Sequence, residues 1–131
     1  MKDRTAFNET LTSVEDLDNL YRAPSQGVKD KETERLDLGC RDFIAMSPFV
    51  LVGTVNTEGD LDVSPRGGPT GFVKVLDEYR LAIPDLNGNN RLDSIRNIIA
   101  NGRVSLIFLI PGLGETLRVN GSACVTTDDL V

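Results

Sequence analysis

The strongest constraint on the fold is a change of hydrophobic period at Ser47-Pro48. Before this dipeptide the apolar residues recur at helical spacing. After it, short runs rich in Val, Ile, Leu and Phe are separated by turn residues, the pattern of an antiparallel sheet or barrel. With 131 residues and no repeat, low-complexity tract or Pro/Ser-rich linker, the chain fits one domain. The expectation is a mainly β fold with helices (α+β), with a helical leader over about residues 13–47 and an antiparallel barrel over about residues 48–131.

The leader divides into two helices, both expected to pack on a sheet. Ser13 is a candidate N-cap with Asp16 three residues on, Val14, Leu17 and Leu20 make a short apolar stripe, and Ala23-Pro24-Ser25 is a stop. A longer amphipathic helix fits about residues 28–46, because Leu36, Cys40, Phe43 and Ile44 share one side. In the barrel segment, Phe49–Val55 and Leu61–Ser64 flank Thr57-Glu58-Gly59-Asp60, a hairpin loop with glycine where positive φ is needed. Phe72–Leu76 and Tyr79–Ile83 flank Asp77-Glu78 as a second hairpin, with Lys74 expected on the same side as Phe72 and Leu76. Val104–Ile110 is almost unbroken apolar sequence, so both its faces are expected to be buried. Leu117–Val125 alternates. One helix interrupts the strands: Leu92, Ile95, Ile98 and Ile99 form its apolar side, Asn90 is its candidate cap, and Asn101-Gly102 is a left-handed stop.

Composition removes several functions. The chain contains no histidine, which excludes Ser-His and Cys-His nucleophile pairs, histidine-ligated metals and proximal-histidine haem within it. Redox chemistry would then have to come from a bound cofactor. A formal charge of -6 disfavours nucleic acid. No apolar run approaches the roughly 20 residues of a membrane span, and Met1–Phe7 lacks the apolar stretch of a signal peptide, so a cytoplasmic setting is expected. Cys40 and Cys124 have no metal-ligand spacing and are expected to be reduced and buried.

Three segments carry possible binding chemistry. In PDLNGNNRLDS, Gly88 permits close backbone approach, Asn89 and Asn90 supply amides, and Arg91 can grip an anion beside the first turn of a helix. An ordinary helix start explains the same residues, and Asp93 competes with an anion there. In DVSPRGGPTGF, Ser64 and Arg66 precede Gly67 and Gly68, so Arg66 can reach a pocket while a ligand lies against the glycine backbone. A glycine-rich turn with a solvated arginine is the alternative. In PGLGETLRVNG, Thr116, Arg118 and Asn120 share a strand face opposite Leu117 and Val119. That face suits a cofactor cleft or a wet interface, and equally plain solvent.

The ordered succession CRDFIAMSPFVLVGTVNTEGDLDVSPRGGPTGFVKVLD, LAIPDLNGNNRLDSIRNII and GRVSLIFLIPGLGETLRVNGSA resembles the pyridoxamine 5'-phosphate oxidase-related flavin mononucleotide (FMN) binding proteins, in the subgroup marked by SPRGG and GNNR. The resemblance runs from about Leu17 onward. It implies an FMN-binding split β-barrel that pairs into a homodimer with FMN at the interface. By matching position it implies phosphate contacts from Asn89, Asn90 and Arg91. It sets Ile83, Pro84 and Asp85 along the flavin or ribityl chain, Ser64, Arg66 and Lys74 on the strands flanking phosphate and isoalloxazine, and Thr116 and Arg118 on a strand that often reaches the cofactor from the partner subunit. Members of this subgroup are usually longer, with a C-terminal strand and a helix bearing a histidine-cysteine pair. The expectation here is therefore a barrel lacking its C-terminal elements. Vitamin-binding residues of the true oxidases fall largely in that region, so their reaction is not carried over.

The function implied is an FMN-dependent oxidoreductase exchanging hydride with a small organic substrate. A non-catalytic flavin-binding protein, acting as cofactor carrier or sensor, is the alternative. The same superfamily includes deazaflavin and haem binders, the latter disfavoured by the lack of histidine.

Overall fold

The computed structural model describes residues 7–21, 34–84 and 92–130. The chain divides into two compact units, Met1–Thr33 and Glu34–Val131. In the first, Ser13 caps helix α1 (Val14–Leu20): its side chain accepts a hydrogen bond from the Asp16 amide at 3.0 Å. None of the residues of α1 is buried, so its apolar stripe is not the packed face that the spacing suggested.

The second unit begins with helix α2 (Leu38–Met46). The expected start near residue 28 is corrected to Leu38, with residues 28–33 outside the described ones. Asp37 is the N-cap, accepting the Cys40 amide at 2.9 Å. Just before it, Leu36 is buried and donates its own amide to Glu78 O at 2.7 Å. A backbone donor spent on a distant turn cannot also continue a helix, and the carboxylate cap then sets the boundary. At the other end Ser47 is the C-cap. Its hydroxyl lies 2.6 Å from Leu109 O and 2.8 Å from Phe49 O, locking the turn into the sheet.

That sheet has the order β2-β1-β5-β6, all antiparallel, from β1 (Phe49–Val55), β2 (Leu61–Gly67), β5 (Arg103–Leu109) and β6 (Thr116–Ser122). A separate pair holds β3 (Lys74–Val75) and β4 (Leu81–Ala82). The β1–β2 loop carries Gly59 at φ +86, as the hairpin reading required. Strand β2 runs three residues beyond the expected end at Ser64 and takes in Pro65, which an edge strand tolerates. The second hairpin is shorter than expected, because Phe72 and Val73 are buried in the preceding turn instead of extending β3. Two glycines shape that turn. A Cβ on Gly68 would sit 2.8 Å from the Phe72 ring, and Gly71 has φ +75 with Ala45 O at 2.8 Å from where a Cβ would stand.

Directly opposed residues share a sheet face, so the register defines two sides. The inner side carries Val50, Val52 and Thr54 of β1, Leu106 and Phe108 of β5, and Leu117 and Val119 of β6. Val50, Val52, Leu106 and Phe108 join Leu36, Ile44, Phe72 and Val73 in the core, and Val75, Leu81 and Ile83 pack around it. The outer side carries Leu51, Gly53, Ile107 and Arg118. The expectation that both faces of the β5 segment are buried therefore holds for one: Leu106 and Phe108 are buried, Ile107 and Leu109 are half-exposed and Ser105 is exposed.

Helix α3 (Asp93–Asn101) packs on β1 and β2, but not as its apolar spacing suggested. Its sheet-facing bonds are polar: Ser94 Oγ donates to Asp62 Oδ2 at 3.3 Å, Asn97 Nδ2 to Thr54 Oγ1 at 3.0 Å, and Asn101 Nδ2 to Val55 O. Ile99 is 71% exposed and Leu92 is also exposed. Leu92 occupies the N-cap without a side-chain cap bond, while Asn90, the expected cap, lies outside the described residues. Gly102 ends the helix at φ +65, as expected. Cys40 is half-buried and Cys124 exposed, correcting the expectation that both are buried; both are free thiols. Burial pushes the Cys40 thiol pKa up.

Candidate functional site

Strand β2 places a polar stripe on the otherwise apolar inner side. Opposite Thr54, Val52 and Val50 stand Asp62, Ser64 and Arg66, alternate residues of one strand and so one row of side chains. Each is tied down differently. Asp62 accepts the Ser94 hydroxyl at the first turn of α3. Ser64, only 8% exposed, accepts a hydrogen bond from Arg66 Nε at 3.2 Å. Arg66 itself is half-buried. A cation held against an apolar wall by an oriented acceptor suits an anionic or strongly polar ligand, since a guanidinium offers planar, forked donors and hydrates more weakly than an ammonium.

Other expected site residues fall elsewhere. Asp85, Asn89, Asn90 and Arg91 lie outside the described residues. Lys74 is exposed, paired with Ala82. It does not share the environment of Phe72, which is buried in the turn. Ile83 is half-buried and packs against the core, and Pro84 is exposed. Thr116 and Arg118 pair with Leu109 and Ile107, so both project from the outer side. The fold thus hydrogen-bonds Ser64 to Arg66, sets Thr116 and Arg118 on one strand face, and places these two pairs on opposite faces of one sheet.

The outer side has a feature of its own. Leu51, Gly53, Val63, Ser105, Ile107, Arg118 and Asn120 line an open groove of about 320 Å³. At its rim Ser105 Oγ donates to Asn120 Oδ1 at 2.6 Å. Val63 and Leu61 on the edge strand are 65% and 84% exposed. The groove combines residues from four strands, which is why local motifs did not reveal it. The alternation Leu61, Val63, Pro65 against Asp62, Ser64, Arg66 was nevertheless visible in the sequence, and marks β2 as a strand with one apolar and one polar face.

Gly68 of the SPRGG segment also has a packing part. Gly68 is needed for contact with Phe72, and its amide donates to Pro48 O at 3.1 Å. The packing of the protein itself accounts for this glycine. Among the described residues no group of three or more His, Cys, Asp or Glu side chains is arranged to hold a metal ion, and no helix is long and apolar enough to cross a membrane.

Comparison with known proteins bears on this geometry. The family model described as pyridoxamine 5'-phosphate oxidase matches residues 37–131. Among solved structures, a crystal structure of a tagged variant of HupZ from Group A Streptococcus is similar with a TM-score of 0.52 and 17% sequence identity, over 66% of this chain and 67% of that one. At that identity the likeness concerns the fold. A search of curated proteins gave no match.

Proposed function

Starting from the fact that the chain belongs to the pyridoxamine 5'-phosphate oxidase family, we propose that it binds FMN and acts as an FMN-dependent oxidoreductase on a small organic substrate. The observation that carries this reading is the half-buried Arg66, held by Ser64 on the inner side of the sheet. Its donors suit a ligand with an anionic tail. In this reading Arg66 and Lys74 supply positive charge. Asn89, Asn90 and Arg91 add amide and guanidinium donors toward the phosphate, and Ile83, Pro84 and Asp85 line the ribityl chain.

Thr116 and Arg118 are assigned to the same cofactor from a second copy of the chain. Their position on the face opposite Arg66 supports this, since one protomer cannot turn both sides of its own sheet toward one ligand. A homodimer in which the outer groove is covered would also remove Leu51, Val63 and Ile107 from water. The flavin supplies the electron chemistry when bound, by exchanging hydride with the substrate. The protein binds, orients and excludes water. Binding is tested directly: FMN at 100 times its Kd should stabilise the fold by about 2.7 kcal/mol, seen as a rise of several degrees in Tm. No rise and no yellow protein would sink the reading.

A second reading, a flavin carrier or sensor without turnover, is favoured by the lack of any histidine to act as general acid. Bound flavin that NADH and NADPH leave oxidised in the presence of candidate acceptors supports it, and steady turnover overturns it. Mass spectrometry of the co-purified ligand separates FMN from a deazaflavin or haem.

A further inference from the structure

We propose that the solvent side of helix α3 is a self-association surface, on which two copies of the chain pair their α3 helices antiparallel. The inference goes beyond the flavin reading and does not depend on it. Its first support is that α3 is amphipathic in the reverse sense. Ser94, Asn97 and Asn101 follow one another at i, i+3 and i+7, and all three hydrogen-bond to the sheet, at Asp62, Thr54 and Val55. Leu92, Ile95 and Ile99 repeat that spacing two residues earlier, which at 3.6 residues per turn sets their row about 200° away. The apolar row therefore points away from the sheet. Leu92, at the N-cap, and Ile99 are exposed, the latter at 71%, and Ile95 is half-buried. Apolar residues at this spacing on the solvent side of a helix are the anchors by which one helix meets another.

The residues beside the row select a second copy as its occupant. One flank carries Asp93 and Arg96, which meet within the helix only at 4.0 Å, with both side chains largely exposed. Such a loose surface pair contributes little by itself. The other flank carries the half-buried Ile98. In an antiparallel pair related by a two-fold axis, each flank faces the same flank of the partner. Arg96 of one copy then meets Asp93 of the other, twice over, and Ile98 meets Ile98. A parallel pair would set the charged flank against the isoleucine and leave the charges unmatched. The surface is separate from the outer groove, because α3 bonds to the inner-facing Asp62 and Thr54. Its nine residues extend about 14 Å, and so cover far less than the roughly 800 Å² per partner of a standard interface. The association is accordingly weak, with a Kd on the order of 100 µM to 1 mM.

Sedimentation equilibrium from about 10 µM to about 1 mM tests this surface, whatever the mass at the low end. The weight-average mass of wild type is expected to rise by about half over that range. Ile99→Glu, a change at an exposed position, should keep it flat. Asp93→Lys and Arg96→Glu, each of which sets like charges against each other, should also stay flat alone, while their equimolar mixture recovers the rise. Far-ultraviolet circular dichroism shows which variants are folded, and the charge pair decides if Ile99→Glu is not. A flat wild type, a rise that survives Ile99→Glu, charge variants that still associate alone, or a mixture as flat as its components would each overturn the proposal.

Discussion

The two faces of the four-stranded sheet are built from the same strands and differ in almost everything else. On the inner face Val50, Val52, Leu106 and Phe108 are buried under α2, the Phe72-Val73 turn and the β3–β4 pair. On the outer face Leu51 and Ile107, one residue along from these, line an open groove with Arg118 and Asn120. The difference teaches that the two sides of β5 have different surroundings. Leu106 and Phe108 hold the fold together on one side, and Ser105 and Ile107 line the open groove on the other.

The sharpest way to break this comparison is a pair of alanines in β5. Phe108→Ala, at a position with 0% exposure, should cost about 3–5 kcal/mol through lost transfer energy and the cavity left behind. Ile107→Ala, one residue earlier and half-exposed, should cost under about 1.5 kcal/mol in monomer stability. Urea denaturation of both variants reads the contrast, and similar losses would refute the assignment of faces.

The inner face also holds the candidate ligand cation. Arg66→Gln should weaken FMN by roughly 10- to 100-fold, the usual scale for a charge-assisted hydrogen bond, with little change in the far-ultraviolet circular dichroism spectrum. If affinity is unchanged, the polar stripe on β2 is not the binding wall. Next in size is association through the outer face. Ile107→Glu should shift the proposed dimer to monomer at micromolar concentration, measured by light scattering, because a charge placed in a buried interface is left unpaired. A folded variant that remains dimeric would remove the groove from the interface.

The smallest expected effect lies away from both faces, at the cap of α2. Cys40 N–H bonding to Asp37 holds that carboxyl below the usual aspartate value. Because the folded value is the lower one, the stabilisation is present above the unfolded pKa, about 4, and is lost as pH falls through the folded value. Asp37→Asn should therefore lower Tm slightly at neutral pH and flatten its fall in acid. A thermal scan series from about pH 5 to pH 2 checks this, and an unchanged acid limb would exclude the cap as its source.

Much of the scaffold was legible in the chain. Ser13 and Gly102 bound helices and Gly59 shapes a hairpin loop through chemistry local to a few residues, and all three stand where the sequence put them. Of the candidate site, the alternation of Asp62, Ser64 and Arg66 could be read, but not its partners. The bond from Ser94 to Asp62 and the one from Asn97 to Thr54 join residues 32 and 43 positions apart. No local period encodes them. In α3 the four apolar residues suggested a core face, of which Ile95 and Ile98 are half-buried while Leu92 and Ile99 are exposed.

The amino-acid sequence by itself determined which residues share a strand, where the turns fall and which family the motifs match, because backbone geometry and turn chemistry act over a few neighbours. Only the tertiary structure decided which face of each strand became core, why Gly68 must be glycine and that Arg66 and Arg118 point to opposite sides. Alternation says that two sets of side chains diverge. Which set is buried depends on the layer that packs against it, and that layer comes from distant parts of the chain.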